Sequence, residues 1–163
     1  MKTFLFFSLI LFTSSLSLSG KSGKLDFNFK EFGKIPVLSE GRIKPVDTVA
    51  RISLRLIHDK QTLEIKEAEK LTAIQWLAEL LISPDSANQR KVFSIRDQEV
   101  LDLLKLEQTK EHNYSYSQIA SSFVEIDRQA DLARPIEEQN RSYFQKNLLK
   151  LRDKLILYQR LKN

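Results

Sequence analysis

Ile119, Phe123, Ile126, Ala130 and Ala133 recur at steps of four, three, four and three, and Phe144, Leu148, Leu151, Leu155 and Tyr158 repeat the same rhythm. Such steps line apolar side chains along one face of an α-helix, whereas a half-buried strand needs alternation by two. Two long helices with one apolar seam each are therefore expected, folded as an antiparallel hairpin over roughly 115–162 and closed over shorter helices. Pro135 suits the first turn of the second helix. Glu137 and Glu138 near that start and Arg160 and Lys162 near its end agree with the helix dipole.

Local start signals sharpen the rest. Thr72-Ala73-Ile74-Gln75 and Ser115-Tyr116-Ser117-Gln118 have the spacing of capping boxes, with Leu71 and Trp76, and Tyr114 and Ile119, set as hydrophobic staples. The helix begun at Thr72 should stop at Ser83, because Pro84 disfavours helical geometry in the residue before it. Val92-Phe93-Ser94-Ile95 reads as a short strand, and Asp97 as the cap of a brief helix carrying Val100, Leu101, Leu103 and Leu104. A further helix starts at or just before Asp47 and presents Val46, Val49, Ala50, Ser53, Leu56 and Ile57 on one face.

Ile35–Leu38 and Arg42–Pro45 read as two extended pieces about a Gly41 turn, fitting either a small hairpin or a simple extended lead. Residues 59–70 are polar, with Leu63 and Ile65 alternating. They fit either a loop with one short strand or the frayed lead of the next helix. The expected fold is mainly α, short helices packed on a long C-terminal antiparallel helical hairpin, with at most a small two-strand β element.

The chain starts Met1-Lys2-Thr3 and runs into Phe4–Phe12, apolar but for Ser8, followed by a Ser-rich stretch to Gly20. A membrane-spanning helix needs roughly 20 apolar residues, so this pattern is expected to be a secretory signal cut after Ser19 or Gly20. The organisation expected is a signal peptide over 1–19, a flexible tether over 20–34 and one helical extracytoplasmic domain over 35–163. The chain has no cysteine, which excludes disulfides, thiolate metal sites and covalent haem attachment within it. A domain of this size buries about two thirds of its unfolded surface and can stand on its packed core. With 26 basic and 21 acidic residues interleaved, the net charge of +5 is mild and no nucleic-acid partner is expected.

Candidate chemistry is sparse. The histidines are His58 and His112. His58, at a helix end where the dipole favours its charged form, is a conceivable haem or metal ligand, but one ligand makes no site. His112 lies in a polar run and reads as a loop residue. The pairs Glu137–Glu138 and Glu64–Glu67 look like surface and helix-start charges. With no G-x-S-x-G elbow and only four glycines, neither a hydrolase nor a phosphate-cradling loop is expected. The richest stretch is Glu40–Arg55. There Gly41, Arg42, Lys44, Pro45, Asp47, Thr48, Arg51 and Arg55 form either a turn plus a helix start in which Asp47 pairs with Arg51, or a polar clamp for a partner's carboxylates.

Ile35–Arg51, Thr72–Leu77, Val92–Ile95 with Val100–Leu104, Tyr114-Ser115-Tyr116 and Leu157–Leu161 resemble, in that order, the extracytoplasmic region of some large bacterial cytochrome c biogenesis proteins of the Ccs/Res type (system II). The resemblance covers roughly residues 35–163. It implies a non-catalytic accessory domain of cytochrome c assembly outside the cytoplasmic membrane, in contact with a membrane-embedded, haem-handling biogenesis protein and with apocytochrome c. The multi-span haem domain of that family and its tryptophan-rich loop have no counterpart here, where Trp76 is the single tryptophan. No haem-contacting position carries over, so haem is expected only through the partner. Two readings stand beside it: a general exported helical adaptor or chaperone-like envelope protein, and a small haem carrier using His58.

Overall fold

The structure, a computed structural model, describes residues 27–65 and 70–162. The expected signal over 1–19 lies outside the described residues, as does Glu67. The fold is mainly helical, with small antiparallel two-stranded sheets between the helices.

The first described element falls in the C-terminal part of the tether expected over 20–34, whose residues before Phe27 lie outside the described residues. Residues Phe29–Lys34 form helix α1, where the Asn28 side chain caps it by accepting from the Glu31 N–H and Phe27 packs its ring tilted against Phe29 and edge-on to Phe32. Gly33 is buried against the next helix: a Cβ there would sit 3.1 Å from the Asp47 Cβ. This close approach is what lets α1 dock.

Strands β1 (Pro36–Ser39) and β2 (Arg42–Pro45) pair antiparallel in the register Pro36–Pro45, Val37–Lys44, Leu38–Ile43 and Ser39–Arg42. Of the two alternatives for this stretch, the hairpin is found. Its two-residue turn needs positive φ at both positions, which Gly41 (74°) takes freely and Glu40 (53°) takes with its carboxylate held by Lys44 at 2.7 Å.

Helix α2 (Val46–His58) follows directly, with the Val46 N–H donated to the Ile35 carbonyl at 2.9 Å. Its buried face is Val46, Ala50, Ser53, Leu54, Ile57 and His58. The expected stripe therefore holds except that Leu56 faces solvent and Leu54 is buried, because α1, α3, α8 and β5 all pack on this helix and widen its covered side. Strands β3 (Thr62–Glu64) and β4 (Lys70–Thr72) then pair across residues 66–69.

Helix α3 (Ala73–Ile82) has its capping box complete: Thr72 and Gln75 exchange side-chain and backbone bonds. It ends at Ser83, and Pro84 opens α4 (Pro84–Asn88). Strand β5 (Phe93–Ser94) pairs with β6 (Asn113–Tyr114), and Asp97 caps α5 (Gln98–Leu104) through the Val100 N–H at 3.1 Å. Among the described residues three two-stranded sheets thus replace the single one expected; β4 and β6 are short segments of mostly polar sequence that pair with β3 and β5.

The C-terminal third departs from two uniform long helices. The Ser115 capping box is present, but it opens only α6 (Tyr116–Ile119). A 3-10 turn over Ala120–Ser122 follows, where two serines weaken the helix, before α7 (Phe123–Ala133). Helix α8 (Tyr143–Lys162) begins eight residues after Pro135, so Glu137 and Glu138 sit outside it, the latter in a 3-10 turn. Its start is a third reciprocal cap, Ser142 with Gln145 at 3.0 and 3.2 Å. From there α8 passes Asp127, paired with Arg152 at 2.7 Å, and reaches Tyr116, which accepts from Gln159 at 3.3 Å. Leu148, Leu151, Leu155 and Tyr158 of α8 are buried in a core that also holds Trp76, Phe93, Leu54 and Ile126.

Candidate functional site

The residues singled out between Gly41 and Arg55 fall into three places. Gly41 and Arg42 are at the hairpin tip, with Lys44 turned back onto Glu40. Pro45, Asp47, Thr48 and Arg51 line one side of an open cleft of about 530 Å³, whose other side is α1. Arg55 stands one turn further along α2, outside that cleft. The structure thus brings four of the eight together in the cleft, leaves Gly41, Arg42 and Lys44 in the hairpin, and sets Arg55 apart.

Within the cleft the carboxylate of Asp47 is held by Arg51, four residues on, in the favoured acid-first order. This is the plain alternative of the two read from the sequence. Around it, each described acid from Phe27 to Arg55 is matched by a cation: Glu31 by Lys34, Glu40 by Lys44, Asp47 by Arg51. Lys44, through its hydrogen bond and charge, holds the Glu40 carboxyl below the usual carboxylate range. Lys30, Arg42 and Arg55 have no hydrogen-bonding or ion-pair partner among the described residues. Free guanidinium forks are available there for planar, bidentate anions.

The hairpin carries a feature the sequence reading missed. Residues two apart on a strand share a face, and directly paired residues point to the same side. Pro36, Leu38, Ile43 and Pro45 therefore form one face, and all four are exposed, Leu38 at 77 % and Ile43 at 78 %. Val37 and Lys44 point the other way and are partly covered. The signal was present as alternation once the register is known. Phe29, Gly33 and Lys34, which wall the cleft, were equally missed; Asn28 followed at three residues by Glu31 was the available sign of a helix start.

His58 is not a surface ligand. It is 5 % exposed, and its Nδ1 lies 3.1 Å from the Val92 carbonyl, a bond the neutral ring makes as donor. Burial is the main influence and pushes its pKa down, partly opposed by that bond. The expectation that the helix dipole favours the charged form is thus corrected: desolvation outweighs the dipole. His112 is in a turn at φ 53°. Among the described residues no group of three or more His, Cys, Asp or Glu side chains is arranged to hold a metal. Glu137 lies beside Gln139, its hydrogen-bond donor, and Glu64 beside Lys60, both at the surface.

A larger open groove of about 670 Å³ runs between the end of α2, the β5–α5 connection and α8. Its one buried carboxylate, Asp97, is fully committed to the Val100 N–H and the Asn147 amide. Arg96, Lys150 and Lys154 are offset by Asp59 and Asp153, so no charge preference emerges. No described helix is long and apolar enough to cross a membrane.

In comparisons with known proteins, no family model and no curated protein sequence matches this chain.

Proposed function

We propose that this chain is a non-catalytic accessory domain of cytochrome c assembly, acting outside the cytoplasmic membrane through contact with a membrane-embedded, haem-handling biogenesis protein. The order of its motifs, which resembles that of the Ccs/Res-type extracytoplasmic region, motivates the reading. One observation carries the contact surface: Arg42 at the hairpin tip and Arg55 on α2 are exposed cations with no side-chain partner among the described residues, and the chain between them supplies Asp47, Thr48 and Arg51 to an open cleft. A partner's carboxylates fit such forks. The contact surface is the stretch Gly41–Arg55, and apocytochrome c is the second partner in this reading. Helices α7 and α8, read as an antiparallel hairpin, serve as the stiff back of the domain. Haem is handled by the partner and not by this chain. Export through the N-terminal apolar segment supplies the location.

The test is a photo-crosslinking residue at Thr48, in the cleft, with Arg42 and Arg55 intact, in native membranes. Capture of a haem-handling or cytochrome-maturation protein, lost in an Arg42→Glu/Arg55→Glu double variant, is the expected result. Recovery of neither class of protein would sink the reading.

A further inference from the structure

Two asparagines, Asn113 and Asn140, are followed two residues later by a serine with no proline between, and each has a glutamate two residues ahead. The stretches are Glu111-His112-Asn113-Tyr114-Ser115 and Glu138-Gln139-Asn140-Arg141-Ser142. Asn-x-Ser is the pattern that accepts an N-linked oligosaccharide, and it has to stand open at the surface to do so. A carboxamide nitrogen is a weak nucleophile, because its lone pair is shared with the carbonyl, so a transferring enzyme grips the acceptor on either side of it. The serine hydroxyl is one handle, and a carboxylate ahead of the asparagine is a second, suited to a cationic group. So short a motif also arises by chance, and its surroundings decide what it can do.

The fold closes the first copy. Asn113 is half-buried in β6 and paired with Ser94. Tyr114 is 1 % exposed, with its hydroxyl tied to the backbone of Glu107 and Thr109, and Ser115 is 3 % exposed where it caps α6. Drawing this stretch into an enzyme would unpair β5 from β6 and pull a tyrosine out of the core.

The second copy is displayed. It lies in the connection between α7 and α8, with Glu138–Asn140 in a 3-10 turn and Arg141 extended at φ −72° and ψ 136°. About an extended residue, the side chains before and after point to one side and its own to the other. Arg141 is the one turned inward: its Nε and Nη2 donate to the Ala133 and Arg134 carbonyls at 3.2 and 3.1 Å, at the C-terminal end of α7. Asn140 and Ser142 on its two sides are exposed, as is Glu138. The side chains of Glu138 and Asn140 have no hydrogen-bonding partner among the described residues. The Ser142 Oγ accepts from the Gln145 N–H at 3.2 Å, which leaves its own proton to be donated.

We infer that Glu138, Asn140 and Ser142 form an acceptor site for N-linked glycosylation of the folded chain, with a lipid-pyrophosphate-linked oligosaccharide as donor. The Asn140 Nδ2 attacks C1 of the first sugar and gives up one proton to a base of the enzyme. The bond from C1 to the pyrophosphate oxygen breaks with its electron pair on that oxygen, so a lipid pyrophosphate leaves and no oxidant or reductant is needed. The inference rests on the proposed location outside the cytoplasmic membrane, where exported chains meet such donors.

The test incubates the purified, folded full chain with a detergent-solubilised bacterial oligosaccharyltransferase and a polyprenyl-pyrophosphate-linked oligosaccharide. A flexible Glu-x-Asn-x-Ser peptide is the positive control, circular dichroism confirms the fold of each variant, and mass spectrometry of proteolytic fragments locates the glycan. The expected result is transfer to Asn140 with at least tenfold lower occupancy at Asn113. Asn140→Gln abolishes it, Asn113→Gln and Ser142→Thr leave it intact, and Glu138→Gln slows it roughly tenfold through loss of the charged handle. Transfer that is absent while the peptide reacts, that reaches Asn113 equally, or that ignores Glu138 overturns the inference. So does an exported native chain whose Asn140 is bare. Because the purified reaction needs no export, a native chain found in the cytosol would count against the proposed location, while the acceptor is judged on its own result.

Discussion

The side-chain amide of Asn147 donates to the carboxylate of Asp97 at 2.7 Å, tying the first half of α8 to the cap of α5 across 50 residues of chain. The other oxygen of Asp97 accepts the Val100 N–H, so one buried side chain fixes both a helix start and a helix–helix relation. Asp97→Ala removes the cap and leaves the Asn147 amide without its acceptor. A lost cap costs roughly 0.5–2 kcal/mol, and loss of the hydrogen bond from the half-buried Asn147 amide to a charged acceptor adds about 1 kcal/mol. A combined loss of about 1.5–3 kcal/mol is expected in urea unfolding. Asp97→Asn, which keeps a capping oxygen, should lose less than half as much. Equal losses for the two would show that the carboxylate charge, not the cap, matters.

How far this arrangement was legible in the sequence depends on the distance over which each signal acts. The Thr72, Ser115 and Asp97 caps are local patterns of four residues, and each is where the sequence put it. Asn147 as second partner of Asp97 was invisible, because nothing near either residue encodes it. The same holds for β4 and β6, whose strand character comes from pairing with β3 and β5. Pro135 drew the start of α8 too early, while Ser142 and Gln145 held a capping signature that went unread. At the candidate site the Asp47–Arg51 pair was readable from spacing. The exposed apolar face was not, since it needs the register, and the Gly33 contact needs the position of α1 over α2.

Gly33 allows a test of that docking. A Cβ at this position meets the Asp47 Cβ at 3.1 Å, a distance that asks α1 to give by a few tenths of an ångström. A larger side chain asks for more than a six-residue helix can absorb, and overpacking of this kind costs roughly 1–3 kcal/mol. Gly33→Leu is therefore expected to undock α1 locally, with faster amide exchange over residues 29–34, while the melting temperature of the remaining core changes little. Unaltered exchange there would refute the close approach.

His58 gives the fold an acid sensitivity whose sign follows from burial. Its pKa is lowered in the folded state, first by desolvation, with Lys60 and Lys154 acting in the same direction and the Val92 carbonyl and Asp59 against them. The unfolded chain takes up a proton near pH 6.5 while the folded chain still resists it. Stability from this group is therefore complete above about pH 6.5 and declines as pH falls toward the lower folded value, where the decline levels off. Urea midpoints at pH 7.5 and 5.5 should fall further apart for the parent than for His58→Gln. Identical pH slopes would mean that His58 is accessible to protons in the fold.

Tyr114 and Tyr158 separate the value of a hydroxyl that serves two backbone groups from one that serves a side chain. The Tyr114 hydroxyl donates to the Glu107 carbonyl at 2.9 Å and accepts the Thr109 N–H at 3.2 Å, closing the 107–113 loop onto β6. Tyr158 donates to Asn88 Oδ1 at 3.2 Å, and burial, followed by the neighbouring Tyr116 and Glu79, pushes its pKa well upward. Both rings are buried, so replacement by Phe keeps the packing and tests only the hydroxyl. Tyr158→Phe loses one bond whose acceptor is a side chain free to turn elsewhere, a cost of about 1 kcal/mol. Tyr114→Phe deprives two backbone groups at once, and each is tied to a loop that cannot easily reorient. About 2–3 kcal/mol is expected, from the penalty for unsatisfied polar groups. Thermal unfolding of the two variants should therefore rank Tyr114→Phe below Tyr158→Phe. The reverse order would mean that the loop carbonyl and N–H find water when the hydroxyl is removed, and that the loop is less enclosed than the geometry implies.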